Sequence, residues 1–404
     1  PKQNSLGHFN SEFGDELYMI EERAASGHGD KASFGFANEV ISTDDLLKNL
    51  TKSENHVLDE NSYIKARLFD MLIGDFDRHE DQWRWAVFKE GKQTVYRPIP
   101  RDRDQAFSIM GDGALLGFAT NNVPTLRGMR AYSEELKSPK WFNLSPNALD
   151  MSIIKSDKQH WDDQVKLITS KITDEIIDDA FSLFPDEVKD ETISEIKRKL
   201  QGRRSNLQKI SDSYYNYLNT YQVIKGTNKD DWFDVERLPN GKTKVTGYRI
   251  KKGEKSTVFH QRTYSASETK EIWIYGLDDD DTFVVNGNGN DLIKVKIIGG
   301  QNNDVYNIMN GSKVKVYDQK SKKNTFITKN GSVKLTDNYV TNVYNYKKLP
   351  STLNIINPAI WFNPDDGIKL GVSNIYTVNK FERNPFSSQH ILTANYYFAT
   401  NGFE

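Results

Sequence analysis

The densest chemistry in this sequence lies in two short segments. One reads Gly74-Asp75-Phe76-Asp77-Arg78-His79-Glu80-Asp81-Gln82-Trp83, the other Pro98-Ile99-Pro100-Arg101-Asp102-Arg103-Asp104-Gln105-Ala106-Phe107. Phosphoryl transfer needs few parts. One carboxylate orients or deprotonates the attacking hydroxyl, and a second carboxylate with an oxygen-bearing partner holds the magnesium that bridges the phosphates. Asp77 suits the first role and Asp102 the metal role. Gln82 stands on the Asp77 loop where an amide or carboxylate ligand would complete a magnesium site. His79 suits a hydrogen bonder that holds the loop better than it suits a general base. A plainer reading uses the same residues: loop Asp–Arg pairs are commonly solvated ion pairs of little worth, and aspartates beside helices are commonly caps.

Two elements must deliver these segments. From Asn61 the apolar positions Ile64, Leu68, Met71 and Leu72 share one helical face, and that helix must stop near Gly74. Val87 and Phe88, then Tyr96 and Ile99, read as a hairpin around Glu90-Gly91-Lys92. Further upstream, Leu17-Tyr18-Met19-Ile20 reads as a strand, and Ala25 to Asp30, with Gly27 and Gly29, as a loop. Thr43 is expected to cap a short helix carrying Leu46, Leu47 and Leu50. Downstream, Val165, Ile168, Ile172, Ile176, Phe181 and Phe184 keep helical spacing with Thr173 as a cap between two helices. Pro185 and Gly202 punctuate further helices that run to about Tyr221. Residues 1–222 thus read as an α+β domain ending in a helical part.

The two segments resemble the catalytic and metal-binding loops of atypical kinases: the phosphoinositide kinases, the HipA-type kinases and the secretory-pathway kinases of the four-jointed type. The matching residues are Asp77-Arg78-His79 with Gln82, and Asp102 with Phe107. The resemblance implies a kinase-like fold, magnesium as cofactor, Asp77 as base or orienter, and Asp102 and Gln82 as metal ligands. Gln82 departs from the Asn or Glu usual there and is a longer, weaker ligand. The resemblance also implies that Leu17 to Glu22 is the hinge strand beside the adenine, with most of the small lobe before Pro1. Gly74-Asp75-x-Asp77-Arg78 is superficially similar to the Gly-Asp-x-x-Asp motif of calcineurin-like phosphoesterases. The spacing is one residue short, and the flanking Asp-x-His and Gly-Asn-His that a two-metal site needs are missing from this sequence. The order of parts is nevertheless similar to the C-terminal portion of long envelope proteins that carry such a phosphoesterase upstream.

Residues 223–349 repeat a pattern: Gly, four residues, Asp, one residue, aromatic, one residue, β-branched. Copies run from Gly226 (Asp231, Phe233, Val235), Gly276 (Asp281, Phe283, Val285) and Gly299 (Asp304, Tyr306, Ile308), with a weaker one at Asp318, Asn324 and Phe326. Asn-Gly turns recur at Asn286-Gly287, Asn310-Gly311 and Asn330-Gly331, and strand-like pieces recur at Ile272–Tyr275, Val295–Ile298, Val314–Tyr317 and Val333–Leu335. A period of roughly 20 residues with short strands argues for a stacked, β-solenoid-like coil whose aromatic and β-branched residues fill the core. Gly299-Gly300-Gln301-Asn302-Asn303-Asp304 resembles the RTX nonapeptide, whose loops bind calcium. The resemblance implies calcium ligands among Asp278, Asp281 and Asp304, with Asp279 and Asp280 beside them. The alternative is Asp and Asn turns that close their own backbone bonds.

Residues 350–404 alternate. Ile368, Leu370 and Val372 share one face, as do Leu392, Ala394, Tyr396 and Phe398. Phe362-Asn363-Pro364-Asp365-Asp366-Gly367-Ile368 and Asn384-Pro385-Phe386 resemble the opening of BamA-type surface-antigen barrels. That implies the first strands of an outer-membrane barrel whose remainder lies beyond Glu404, because open edges are not tolerated in lipid. A soluble amphipathic hairpin is the alternative.

Composition sets outer bounds. The 404 residues suffice for two or three domains, and 37% hydrophobic content can build sizeable cores. A net charge of -2 gives no global pull toward nucleic acid, and none is expected as a partner. The absence of cysteine excludes thiolate metal sites, thiol catalysis and disulfides in this chain. No run of about 18 apolar residues marks a membrane helix, and no signal peptide is read. The start at Pro1 is expected to reflect missing upstream sequence. The whole reads as a multi-domain α+β protein of a Gram-negative cell envelope, at the outer membrane. Its kinase-like part would be a scaffold for assembly, secretion or surface display, with other envelope proteins as partners. Alternatives are an active metal-dependent phosphotransferase, or a piece of a larger metallophosphoesterase with its catalytic domain upstream.

Overall fold

The computed structural model describes residues 22–24 and 31–404. The strand expected at Leu17–Ile20 and the loop expected from Ala25 to Asp30 lie outside the described residues. Across the described residues the chain mixes α and β, with four sheets.

The first sheet holds β1 (Glu39–Ile41), β2 (His56–Leu58), β3 (Trp83–Glu90) and β4 (Gln93–Pro100), in the order β1-β3-β4-β2. β3 and β4 form the expected hairpin, pairing Glu90 with Gln93 around Gly91. Helix Glu60–Ile73 begins where the Asp59 carboxylate accepts the Ser62 N–H, and ends at Gly74, whose φ of 79° only glycine adopts cheaply. Helix Thr43–Leu50 corrects one expectation: its cap is Ser42, which accepts the Asp45 N–H at 3.1 Å. Thr43 is already helical. Its hydroxyl donates to the Glu80 carbonyl and accepts from Trp85 Nε1, tying the helix to the loop after Gly74. Helices Lys158–Lys171 and Asp174–Ser182 meet at Thr173, whose hydroxyl caps the second as expected. Gly202 does not punctuate. It lies inside helix Glu191–Ser205, where any side chain would strike Glu134. One apolar core joins Ile64, Leu68, Met71 and Leu72 to Trp161, Val165, Leu207 and Tyr214; a second joins Tyr63 to Trp83, Trp85 and Tyr96.

Helix Leu207–Asn219 passes directly into β5 (Tyr221–Lys225). From there β6 (Asp231–Leu238), β9 (Glu271–Leu277), β10 (Thr282–Gly287), β11 (Lys294–Gly300), β12 (Val305–Ile308), β13 (Val314–Asp318), β14 (Thr325–Lys329) and β15 (Ser332–Leu335) alternate between two sheets. Within each sheet these strands pair in parallel. Their inward residues close one core, Ile272, Ile274, Val295 and Val316 from one sheet meeting Phe233, Phe283 and Tyr306 from the other. The aromatics stack: Phe233 on Phe283 and Phe283 on Tyr306 at 5.4 Å, and Tyr306 on Phe326 at 4.9 Å. An antiparallel hairpin, β7 (Lys242–Lys251) and β8 (Glu254–Ser265), interrupts the series after β6 and widens that sheet.

The last sheet is an antiparallel meander of β16 (Ser351–Asn363), β17 (Gly367–Asn379), β18 (Ser388–Tyr397) and β19 (Gly402–Phe403). Register places Phe362, Ile360 and Ile356 on the same face as Ile368, Leu370, Val372 and Tyr376, and as Leu392, Ala394 and Tyr396. That face is open: Ile360 is 78% exposed and Leu392 72%. The opposite face mixes Asn357, Lys369, Gly371, Ser373, Thr393 and Asn395 with Ile355, Ile375 and the exposed Trp361 and Ile391. β16 was not anticipated as a strand, because Asn354, Asn357 and Pro358 break its pattern.

Candidate functional site

The helix ending at Gly74 and the strand β4 ending at Pro100 bring the two chemistry-bearing segments side by side. Arg78 stitches them together. It is fully buried, donates to the carbonyl oxygens of Arg101, Asp102 and Gln82, and holds the Asp75 carboxylate at 3.0 Å. Below it, Asp70 takes Arg67 at 2.9 Å and Arg103 at 3.0 Å, with Arg78 Nε at 3.6 Å. Arg67 also reaches Asp150 at 3.1 Å, and Asp150 accepts the hydroxyls of Tyr63 and Tyr214. Burial pushes the Asp75 carboxyl up to about 6 against the pull of Arg78, and the nearby Asp70 charge adds to the rise. Sequence reading missed this buried network. Its local signal was the pair Arg67 and Asp70, charged residues one turn apart in the mostly apolar second half of the helix.

Of the expected site residues, the structure joins His79, Gln82 and Asp102. Gln82 Nε2 donates to Asp102 Oδ2 at 3.1 Å and lies 3.4 Å from His79 Nε2. His79 Nδ1 accepts the Asp81 N–H at 3.2 Å, so the ring also caps the short turn Glu80–Gln82. The Asp77 backbone N–H is held by Asp75 Oδ1 at 3.3 Å. Asp77, His79 and Gln82 are half-buried and Asp102 is exposed. Asp102 and Phe107 both sit at positive φ, 53° and 59°, a conformation that costs a non-glycine residue of order 1 kcal/mol or more. Phe107 is held by its N–H to the Ile73 carbonyl and by edge packing on Tyr132. Among the described residues, no group of three or more His, Asp or Glu is arranged to hold a metal.

The residues expected to bind calcium are split. Asp281 and Asp304 are buried in the parallel stack, while Asp278 is exposed on the turn after β9. Each buried carboxylate caps the coil before it. Asp231 N–H donates to Asp281 Oδ1 at 2.7 Å, Asp281 N–H to Asp304 Oδ1 at 2.8 Å, and Asp304 N–H to Asn324 Oδ1 at 3.0 Å. A side chain at Gly276 or Gly299 would overlap these carboxylates, which explains the glycine in each copy of the repeat. Asp278 Oδ1 accepts from Asn302 Nδ2 at 3.2 Å. Burial pushes the Asp304 carboxyl up to about 8, helped by the Asp318 charge, and Asp318 itself up to about 6; Asp281 is raised strongly by burial and by its carboxylate neighbours.

A further apolar surface follows Phe107. Helix Ala114–Asn122 has no charged residue, and it exposes Leu115 (80%) and Phe118 (68%) beside exposed Ile109. Comparison with known proteins finds no matching family model, no matching curated protein and no matching solved structure.

Proposed function

We propose that this chain is part of an outer-membrane protein of a Gram-negative envelope. Its kinase-like first unit serves as a scaffold in envelope assembly, secretion or surface display. A β-solenoid-like coil links that unit to the first strands of a membrane barrel. The meander carries the reading: one face exposes Ile356, Ile360, Phe362, Ile368, Leu370, Val372 and Leu392 along three strands, while the other mixes Lys369, Gly371, Ser373, Thr393 and Asn395 with Ile355, Trp361, Ile375 and Ile391, an unclosed apolar sheet of the kind that opens a membrane barrel. An open apolar sheet face of this extent is a liability in water unless something covers it. The uncharged helix Ala114–Asn122 adds a second surface suited to lipid. The scaffold role rests on Gln82, a longer and weaker magnesium ligand than the Asn or Glu usual at that place in the kinases the segment resembles.

The test is a nitroxide scan. The chain has no cysteine, so single cysteines at 368, 369, 370, 372 and 373 label one position each. In phospholipid vesicles, labels at Ile368, Leu370 and Val372 are expected to be relaxed by dissolved oxygen and shielded from a water-soluble nickel chelate. Labels at Lys369 and, on the same face, Ser373 should show the reverse. Uniform access to the chelate would sink the membrane reading.

The clustering of His79, Gln82 and Asp102 favours a second reading, an active magnesium-dependent phosphotransferase with Asp77 orienting the acceptor hydroxyl. Calorimetric titration with Mg-ATP, beside the Asp102→Ala variant, decides it: metal-dependent binding that the variant abolishes supports phosphotransfer, and its absence leaves the scaffold. A metallophosphoesterase active site elsewhere in a longer protein is compatible with either.

A further inference from the structure

A cleft of about 1030 Å³ opens where the helical region, the parallel stack and the meander meet. Its lining is strongly cationic: Lys140 from the helical region, Lys270, Lys294 and Lys296 from the stack, Lys380 and Arg383 from the connector between β17 and β18. Among the described residues lining it, Glu271 is the one carboxylate, and it is taken by Lys296. Arg383 spends its donors on the carbonyl oxygens of Leu349 and Lys347, so its charge is not neutralised. Lys140 lies over the rings of Trp141 and Tyr217, at 4.9 and 5.2 Å. Trp141, Leu144 and Leu353 supply apolar walls.

The cleft sits at one end of the meander, where β16 begins and β17 finishes. If the apolar face lies in hydrocarbon, this end lies at headgroup depth. Lysine and arginine side chains there meet anionic lipid, and charge-assisted hydrogen bonds to phosphate oxygens are stronger than neutral ones. We propose that the cleft binds the phosphate-bearing, anionic headgroup of a membrane lipid. This rests on the membrane reading above, and its test is separable from that one.

The chain is held in micelles of an uncharged detergent and titrated calorimetrically with short-chain phosphatidylglycerol, short-chain phosphatidylcholine and inorganic phosphate. Phosphatidylglycerol is expected to bind on the order of tenfold more tightly than phosphatidylcholine. The double variant Lys270→Glu, Lys294→Glu, at two exposed positions, should lose on the order of tenfold in that affinity with its urea midpoint unchanged. Equal binding of the two lipids, or a variant that binds as before, would overturn the proposal. Inorganic phosphate binding as tightly as phosphatidylglycerol would assign the cleft to a free anion and overturn the lipid source. A failed nitroxide scan with the lipid preference intact removes the membrane reading alone. A successful scan without the preference removes this cleft alone.

Discussion

Asp304 is a carboxyl group held away from water, beside Asp318, with its fold-specific task already done by one oxygen. Its folded pKa of about 8 lies above the unfolded value near 3.9. The native state therefore holds a proton that the unfolded chain gives up between those values, and stability falls as pH rises through that window. The contribution is complete below about pH 4 and gone above about pH 8. The urea midpoint should drop between pH 5 and pH 8.5. Asp304→Asn keeps the acceptor that Asp281 N–H needs and removes the ionisation, as Asn324 already does one coil later. That variant should match the parent at pH 5 and exceed it at pH 8.5; a variant less stable at the higher pH would refute the assignment. Arg78 is the opposite case, a buried charge with every direction in use. Arg78→Met would strand Asp75 and three carbonyl oxygens, at a cost of about 3–5 kcal/mol, visible as a lowered thermal midpoint.

At the scale of elements, the aromatic ladder makes each coil the floor of the next. Phe283 is fully buried between Phe233 and Tyr306, so Phe283→Ala should cost about 3–5 kcal/mol in chemical unfolding, whereas the exposed Ile327→Ala should cost under 1. The ladder was legible in sequence because one glycine, one aspartate and one aromatic recur at fixed offsets, and each has a single physical job. Helix Glu60–Ile73 and the β3–β4 hairpin were legible for similar reasons, with Gly74 and Gly91 marking their ends. The hairpin β7–β8 was not, since it falls between copies of the repeat and leaves only a longer gap. β16 was hidden because Asn354 and Asn357 fall on opposite faces and Pro358 follows them, which breaks the alternation and leaves Ala359 to Phe362 as a short continuous apolar run without a period of two. Of the buried network only the pair Arg67 and Asp70 has a local signature; Asp150 joins it from 83 residues beyond Arg67, and no local pattern records that.

Across the whole molecule, one side chain does much of the coupling. Phe381, in the connector between β17 and β18, is buried against Trp273 and Tyr317 of the stack, with Lys348 over its ring and Glu382 gripping Lys315 and Lys334 beside it. Phe381→Ala should leave the stack's own unfolding transition in place and make the connector several-fold more sensitive to limited proteolysis; unchanged cleavage would show that the meander is held some other way. The apolar contact between stack and meander also fixes the height of the cationic cleft relative to the open sheet face. The buried caps of the stack have a direction as well. The amides of Asp231, Asp281 and Asp304 wait for Asp281, Asp304 and Asn324, which follow 50, 23 and 20 positions later, whereas on the exposed turns the amides of Asp280 and Asn303 take carboxylates from upstream, Asp230 and Asp280. A chain emerging amino end first thus meets its outer catches already in place and closes each buried one only on arrival of the next turn, like a pawl that engages behind the moving part.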